Sequence, residues 1–302
     1  MASQPDAAPA PATFLARRLR AQLLSGSPAR GPVAVAERLL AIQAQDPRAA
    51  RLAIRARTAG VTAGDVDREL TDRRSLLITW LNRGTLHLIR SEDYPLLQLM
   101  TTPPLRTAVA RRLAQEGVTP DRATRGVAII ERALADEGPL GRVALRERLE
   151  RAGVPAAGQA LVHLLVQASI DGRIIRGPVA GRDHLFTLAG DWLPDVGSPP
   201  ERETALAELA RRYLAGHGPA SAHDLARWAG LPLRDARAGL RTLGGRLRAG
   251  PDGLVELDGG RPAAAVWRFA GRRIEIEPFA LLAGDDAAAL EHDAADVQRF
   301  LL

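Results

Sequence analysis

Neither cysteine nor lysine occurs in the 302 residues of the chain. Without cysteine there are no disulfides, thiolate metal sites or thiol nucleophile. Without lysine there is no Walker lysine, no pyridoxal Schiff base, and no lysine amine to attack a sugar C1′. No apolar run approaches the roughly 20 residues that cross a bilayer. The start, "MASQPDAAPAPA", lacks the basic-then-apolar pattern of a signal peptide and reads as a disordered tail, residues 1–12, on a cytoplasmic protein. The motifs G-x-S-x-G and G-x-G-x-x-G are absent. His163, His184, His217, His223 and His292 show no ligand spacing with carboxylates, so no metal site and no cofactor are expected.

What is present is arginine. All 41 basic residues are arginine against 35 acidic ones, a net charge of +6. A guanidinium fork suits phosphate and guanine edges, so the balance fits a nucleic-acid partner; a GC-rich genome would produce the same bias. Hydrophobic content of 46% is that of an ordinary globular protein, and the length fits about two or three domains.

A rhythm repeats along the chain. Residues 127–190 give helix, helix, helix and a hairpin around "GPVAGRD", with Ile129, Ile130, Ala133, Leu134, then Leu145 and Leu149 at three-to-four spacing. Residues 202–257 repeat it, with Gly218-Pro219 answering Gly138-Pro139 and Leu231-Pro232 answering Val154-Pro155. A looser copy opens the chain: Thr13 caps a helix with Leu15, Leu19 and Leu23, and Gly31-Pro32 starts a second with Val35, Leu39, Leu40 and Ile42. "SLLITWLNRGTLHLIR" then forms a hairpin turning at Asn82-Arg83-Gly84. The expected fold is mainly α with small β wings: tandem winged helix-turn-helix units at 13–122 (with a helical connector), 123–195 and 200–258, then a β-rich segment with an acidic helix at 259–302.

Between two helical patterns stands "LAIQAQDPR". Asp46-Pro47 fits an N-cap followed by proline at the first helical position, which places Gln43 and Gln45 in a short joint. If the joint is extended, both amides face one way and Ala44 turns inward. Asp46 is a rival catalytic base, but a cap points its carboxylate back into its own helix.

The chain resembles the winged-helix DNA glycosylases that unhook bulky alkyl adducts, the AlkZ-like group with its Gln-x-Gln motif. The resemblance rests on "LLAIQAQDPRAARLAIRAR", "ITWLNRGTLHLI" and "GPASAHDLARWAGLPLRDAR", and less specifically on "RRIEIEPFALL". It implies that Gln43 and Gln45 are the catalytic motif of a DNA glycosylase acting on bulky N7-alkylated purines, and on interstrand crosslinks, in repair or antibiotic self-resistance. It also implies three winged helices around a DNA channel. Family members commonly carry a longer, acidic-aromatic stretch before the closing strands; here "LVELDGGRPAAAVW" joins them almost directly, so an incomplete C-terminal barrel is expected.

The chemistry suits the residue types. A purine alkylated at N7 leaves as a cation's neutral product and needs little acid catalysis; an amide carbonyl can hold the attacking water and face an oxocarbenium-like centre. Lacking lysine, the enzyme would be monofunctional, without lyase activity. Arg48, Arg51, Arg83, Thr85 and His87 are the expected DNA contacts, His87 being open also to a half-buried structural role. Aromatic content of 4% leaves a stacking pocket for a flipped base poorly supplied, so the adduct is expected to be handled in the duplex or a groove. The expected partner is double-stranded DNA carrying alkylated purines, bound by a monomer in the bacterial nucleoid, with no membrane. The competing expectation is a non-catalytic winged-helix transcriptional regulator.

Overall fold

A computed structural model of the chain describes residues 11–181, 183–193, 201–250 and 253–258, with backbone alone for 11–13, 266–269 and 272–275. The order is α1 (Pro11–Ala21), α2 (Pro32–Leu39), β1 (Ile42–Gln43), α3 (Pro47–Arg55), α4 (Ala63–Thr71), β2 (Leu76–Leu81) and β3 (Thr85–Arg90). Two connectors follow, α5 (Tyr94–Thr101) and α6 (Arg106–Gln115). Next come α7 (Pro120–Glu137), α8 (Arg142–Arg151), α9 (Ala160–Ile170), β4 (Ile174–Ala180), β5 (Asp183–Leu188) and the short α10 (Ala189–Trp192). The last full unit is α11 (Arg202–His217), α12 (Ala222–Ala229), α13 (Leu233–Leu243), β6 (Leu247–Ala249) and β7 (Val255–Leu257); β8 (Val266–Phe269) and β9 (Arg272–Glu275) then pair as an antiparallel hairpin. Of the tail expected at residues 1–12, residues 1–10 lie outside the described residues, as does the acidic C-terminal helix, while Pro11 and Ala12 belong to α1.

Helix, short bridge, helix, helix, hairpin therefore occurs three times, and the fold is mostly helical with small antiparallel sheets. The first copy is not laid out as its sequence implies. Its helix after α3 is α4, opened by a capping box in which Thr62 and Asp65 satisfy each other's backbone N-H groups. The Gly-Pro pairs are also out of step. In the second and third copies the residue after Gly-Pro bridges to the hairpin, Leu140 to Phe186 and Ala220 to Val255, and leads into α8 and α12. The matching segment of the first copy is Ile42 to Asp46, not Gly31-Pro32: β1 pairs with β3, Ala44 N-H donates to Leu86 O, and α3 follows.

Three further expectations change. Helix α1 begins at Pro11, so Thr13 lies inside it rather than capping it, and Leu23 falls beyond its end. Helix α2 stops at Leu39, because Leu40 turns to φ 64; Ile42 belongs to a strand, not to a helical stripe. The boundary expected at 122 cuts the first turn of α7, which starts at Pro120 behind the N-cap Thr119.

The first two hairpins are not free projections. They join β1 in one sheet of order β1-β3-β2-β4-β5, through the pairing of Ile78 with Arg176. All six residues of β2 are buried, because the sheet separates two cores. Ile42, Leu76, Ile78, Trp80, Leu86 and Leu88 pack with α3, α4 and the second copy; Leu77, Leu81, Ile89 and Ile175 pack with α5 and the third copy. Burying both faces of a strand in this way supplies about 1.5–3 kcal/mol per large aliphatic side chain. Helix α11 closes the second core. A Cβ on Gly216 would lie 2.3 Å from Arg38 O, so only glycine lets α11 pack against the backbone at the end of α2. Asp93, buried beside it, is shared by Arg90 and Arg212, tying the third copy to the first.

Candidate active site around the glutamine pair

The joint is held from both sides. Leu40 ends α2, and Leu40 and Ala41 sink into one core while Ile42 and Ala44 sink into the other. Alternation then leaves Gln43 and Gln45 exposed on the same side, as an extended joint requires. Gln43 Nε2 donates to Gln45 Oε1 at 2.8 Å. One N-H of the pair is thereby used, and Gln43 Oε1 and the second lone pair of Gln45 Oε1 remain as acceptors. Asp46 is the N-cap of α3, accepting from Arg48 N-H at 2.8 Å, with Pro47 at the first helical position. Its carboxylate is thus directed at its own helix.

The other expected contacts separate. Arg48 is exposed and makes no ion pair among the described residues. Arg51 is not available for phosphate: its Nε donates to Asp67 Oδ1 at 2.7 Å, a second nitrogen reaches the same oxygen, and Nη1 donates to Pro47 O. Arg83 sits at the hairpin turn with φ 57, outside the strand alternation, and Nη1 donates to Arg227 O at the end of α12 at 3.0 Å. Gly230, left-handed at φ 71, ends α12 against that turn; a Cβ there would meet Arg83 N at 3.2 Å. Thr85 is half-buried, its hydroxyl bonding Asn82 O. His87 is only 5% exposed, so it is not a surface contact. Its Nδ1 lies 3.0 Å from Thr85 O, and burial pushes its pKa down to about 4.

Two features escaped the sequence. On α3, Arg48, Leu52 and Arg55 share one outward face, and Leu52 is 55% exposed, an apolar tip between cations. Spacings of four and three would have found that stripe. The third helix of the first copy, α4, carries Asp65, Asp67 and Glu69 against Arg68 alone. With an acidic α4 and a hairpin built into the sheet, the positive face of the first copy is α3. None of the described aromatic side chains is exposed. Among the described residues no helix is long and apolar enough to cross a membrane.

The family model described as DNA glycosylase AlkZ-like matches residues 36–268, from the end of α2 through the joint to β8. A curated relative, the interstrand DNA cross-link repair glycosylase of Streptomyces sahachiroi, is 35% identical over 216 residues, which are 65% of this chain and 54% of that one. The chain thus spans about half the length of that relative. The solved structure of Streptomyces sahachiroi DNA glycosylase AlkZ superposes with a TM-score of 0.70 at 24% identity, covering 84% of this chain and 73% of that one, a likeness of fold. With the family model matching more than half of its length, the chain belongs to the AlkZ-like DNA glycosylase family.

Proposed function

We propose that the chain is a monofunctional DNA glycosylase that hydrolyses the N-glycosidic bond of bulky N7-alkylated purines in duplex DNA, interstrand crosslinks included, in repair or in self-resistance to an alkylating natural product. The three helix-helix-hairpin copies act as tandem winged helices on the DNA, as a monomer in the cytoplasm. The observation that carries the reading is the exposed, mutually bonded pair Gln43 and Gln45, seated on a rigid joint.

N7 alkylation places positive charge on the base, so the bond to C1′ breaks toward an oxocarbenium-like sugar without a strong acid. The remaining task is to hold one water under C1′. Gln43 Oε1 and the free lone pair of Gln45 Oε1 accept its two protons' hydrogen bonds and leave its oxygen lone pair directed at the sugar. Being neutral amides, they polarise the water weakly, which restricts the enzyme to bases that are already cationic. Arg48 and Arg55, on the α3 helix that follows the pair, hold the phosphate backbone, with Leu52 between them against the groove. Thr85, two residues before His87 on β3, borders the joint.

The test is base release from a duplex carrying N7-methylguanine at one position. Gln43→Ala and Gln45→Ala should each slow release by roughly 10²-fold or more. Equal rates in wild type and both variants would refute the assignment of these residues, and no release by the wild type would leave a non-catalytic DNA binder, whose sign would be a preferred operator sequence.

A further inference from the structure

His87, buried behind the glutamine pair, has no task in the mechanism above. Strand register places it in a row with two polar neighbours, Gln43 on one side and Thr79 on the other. The bond from Ala44 N-H to Leu86 O makes 44 and 86 a hydrogen-bonded pair, so 43 and 87, one step along, are a non-bonded pair. Such pairs bring Cα atoms to about 4.5 Å and their side chains closest together. Folding alone gives no reason for this row. Thr79 is fully buried and its hydroxyl has no protein partner, a cost of about 1–3 kcal/mol that valine would avoid.

The ring's protonation follows from its contacts. A carbonyl oxygen can only accept, so the 3.0 Å contact from Nδ1 to Thr85 O puts the proton on Nδ1. Burial keeps the ring neutral at neutral pH. Nε2 therefore carries a lone pair, on the residue that strand register pairs with Gln43.

Two carboxamides bonded to each other have two arrangements of similar intrinsic energy: Gln43 donates to Gln45, or Gln45 donates to Gln43. The first, which is the one observed, leaves both lone pairs of Gln43 Oε1 open to a water, whereas the second spends one of them on Gln45. A fixed acceptor beside Gln43 attracts an amide N-H and repels an amide oxygen, which breaks the tie in favour of the first. We infer that His87 is a positioning residue, an acceptor across the narrow strand pair that sets which way the Gln43 amide lies and so which oxygen meets the attacking water. The inference rests on the proposed role of Gln43.

The test uses His87→Phe, which keeps a buried ring and removes the lone pair, in a double-mutant cycle with Gln43→Ala on the N7-methylguanine duplex. At saturating enzyme His87→Phe should lower the single-turnover rate about tenfold, leave the Kd for DNA unchanged, and cause no further loss in the Gln43→Ala background. His87→Gln, which can present an amide oxygen in the same row, should restore part of the rate. An unchanged rate, a loss in Kd alone, or an equal loss with and without Gln43 would overturn the inference, the last being the mark of a structural role. Slow Gln43→Ala with fully active His87→Phe removes only this inference; wild type and Gln43→Ala at equal rates remove it together with the catalytic reading. Nitrogen NMR of the wild-type ring needs no turnover: protonated Nδ1 and bare Nε2 at pH 7 support the assignment, and a proton on Nε2 overturns it.

Discussion

The joint leading into α3 and the joints leading into α8 and α12 do the same structural work with different residues. Each ends one helix, bonds to a hairpin strand and starts the next helix. In the second and third copies Gly138-Pro139-Leu140 and Gly218-Pro219-Ala220 suffice, with Gly141 and Ser221 as the N-caps. In the first, Ile42 and Ala44 fill the inward positions and two exposed amides are added. The fold therefore requires an apolar bridge residue and a cap at this place; it does not require glutamine. A polar joint is the ordinary explanation for an isolated Gln-x-Gln, and the molecule carries two internal controls against it.

If the inward residues carry the fold and the outward ones the chemistry, substitutions in the first joint should divide accordingly. Ile42→Ala should have the largest effect on stability, about 2–4 kcal/mol in a denaturant titration, with base release intact while the protein is folded. An equally stable variant would show that β1 does not anchor the joint. Acid comes next. His87 faces the joint, and His217 reaches Leu39 O at 3.1 Å while accepting from Gln22; burial lowers both pKa values to about 4. Their contribution is complete above the free-histidine value near 6.5 and is lost as pH falls from there through about 4, because the unfolded chain takes up protons first. Each should steepen the fall in stability by up to about 1.4 kcal/mol per pH unit, and His217→Gln should flatten the curve.

Smaller effects separate cap from base and contact from scaffold. Asp46→Ala should cost about 1 kcal/mol of stability, the worth of an N-cap, and Asp46→Asn much less. Arg48→Ala should leave thermal stability unchanged, weaken binding to all duplexes alike, and reduce the slope of log Kd against log salt by about 1. Arg51→Ala should do the reverse, loosening the tie between α3 and α4 through Asp67 with little change in salt dependence.

Local features of this molecule are written in local sequence. Asp46-Pro47 caps α3, Asn82 to Gly84 turns the hairpin, and alternation alone sets Gln43 and Gln45 on one side of Ala44. Helix α4 is harder to see because only Val66 and Leu70 mark its inner face among charges, although Thr62-x-x-Asp65 announces its start. The end of α2 misleads, since Leu40 and Ile42 continue an apolar run that a single left-handed residue diverts from one core to the other. What lies beyond local reach is pairing at a distance. Nothing near Ile78 points to Arg176, yet that contact turns two hairpins into one sheet and makes β2 an inner strand. Arg51 is the same case on a smaller scale, its charge matched by Asp67 from the next helix.

The most direct test is single-turnover release of N7-methylguanine from duplex DNA by wild type, Gln43→Ala and Asp46→Asn measured side by side. Release that falls roughly 10²-fold for Gln43→Ala and stays within about threefold for Asp46→Asn is the predicted result. Undiminished release by Gln43→Ala, with collapse in Asp46→Asn, would contradict the account and hand the catalytic role to the carboxylate.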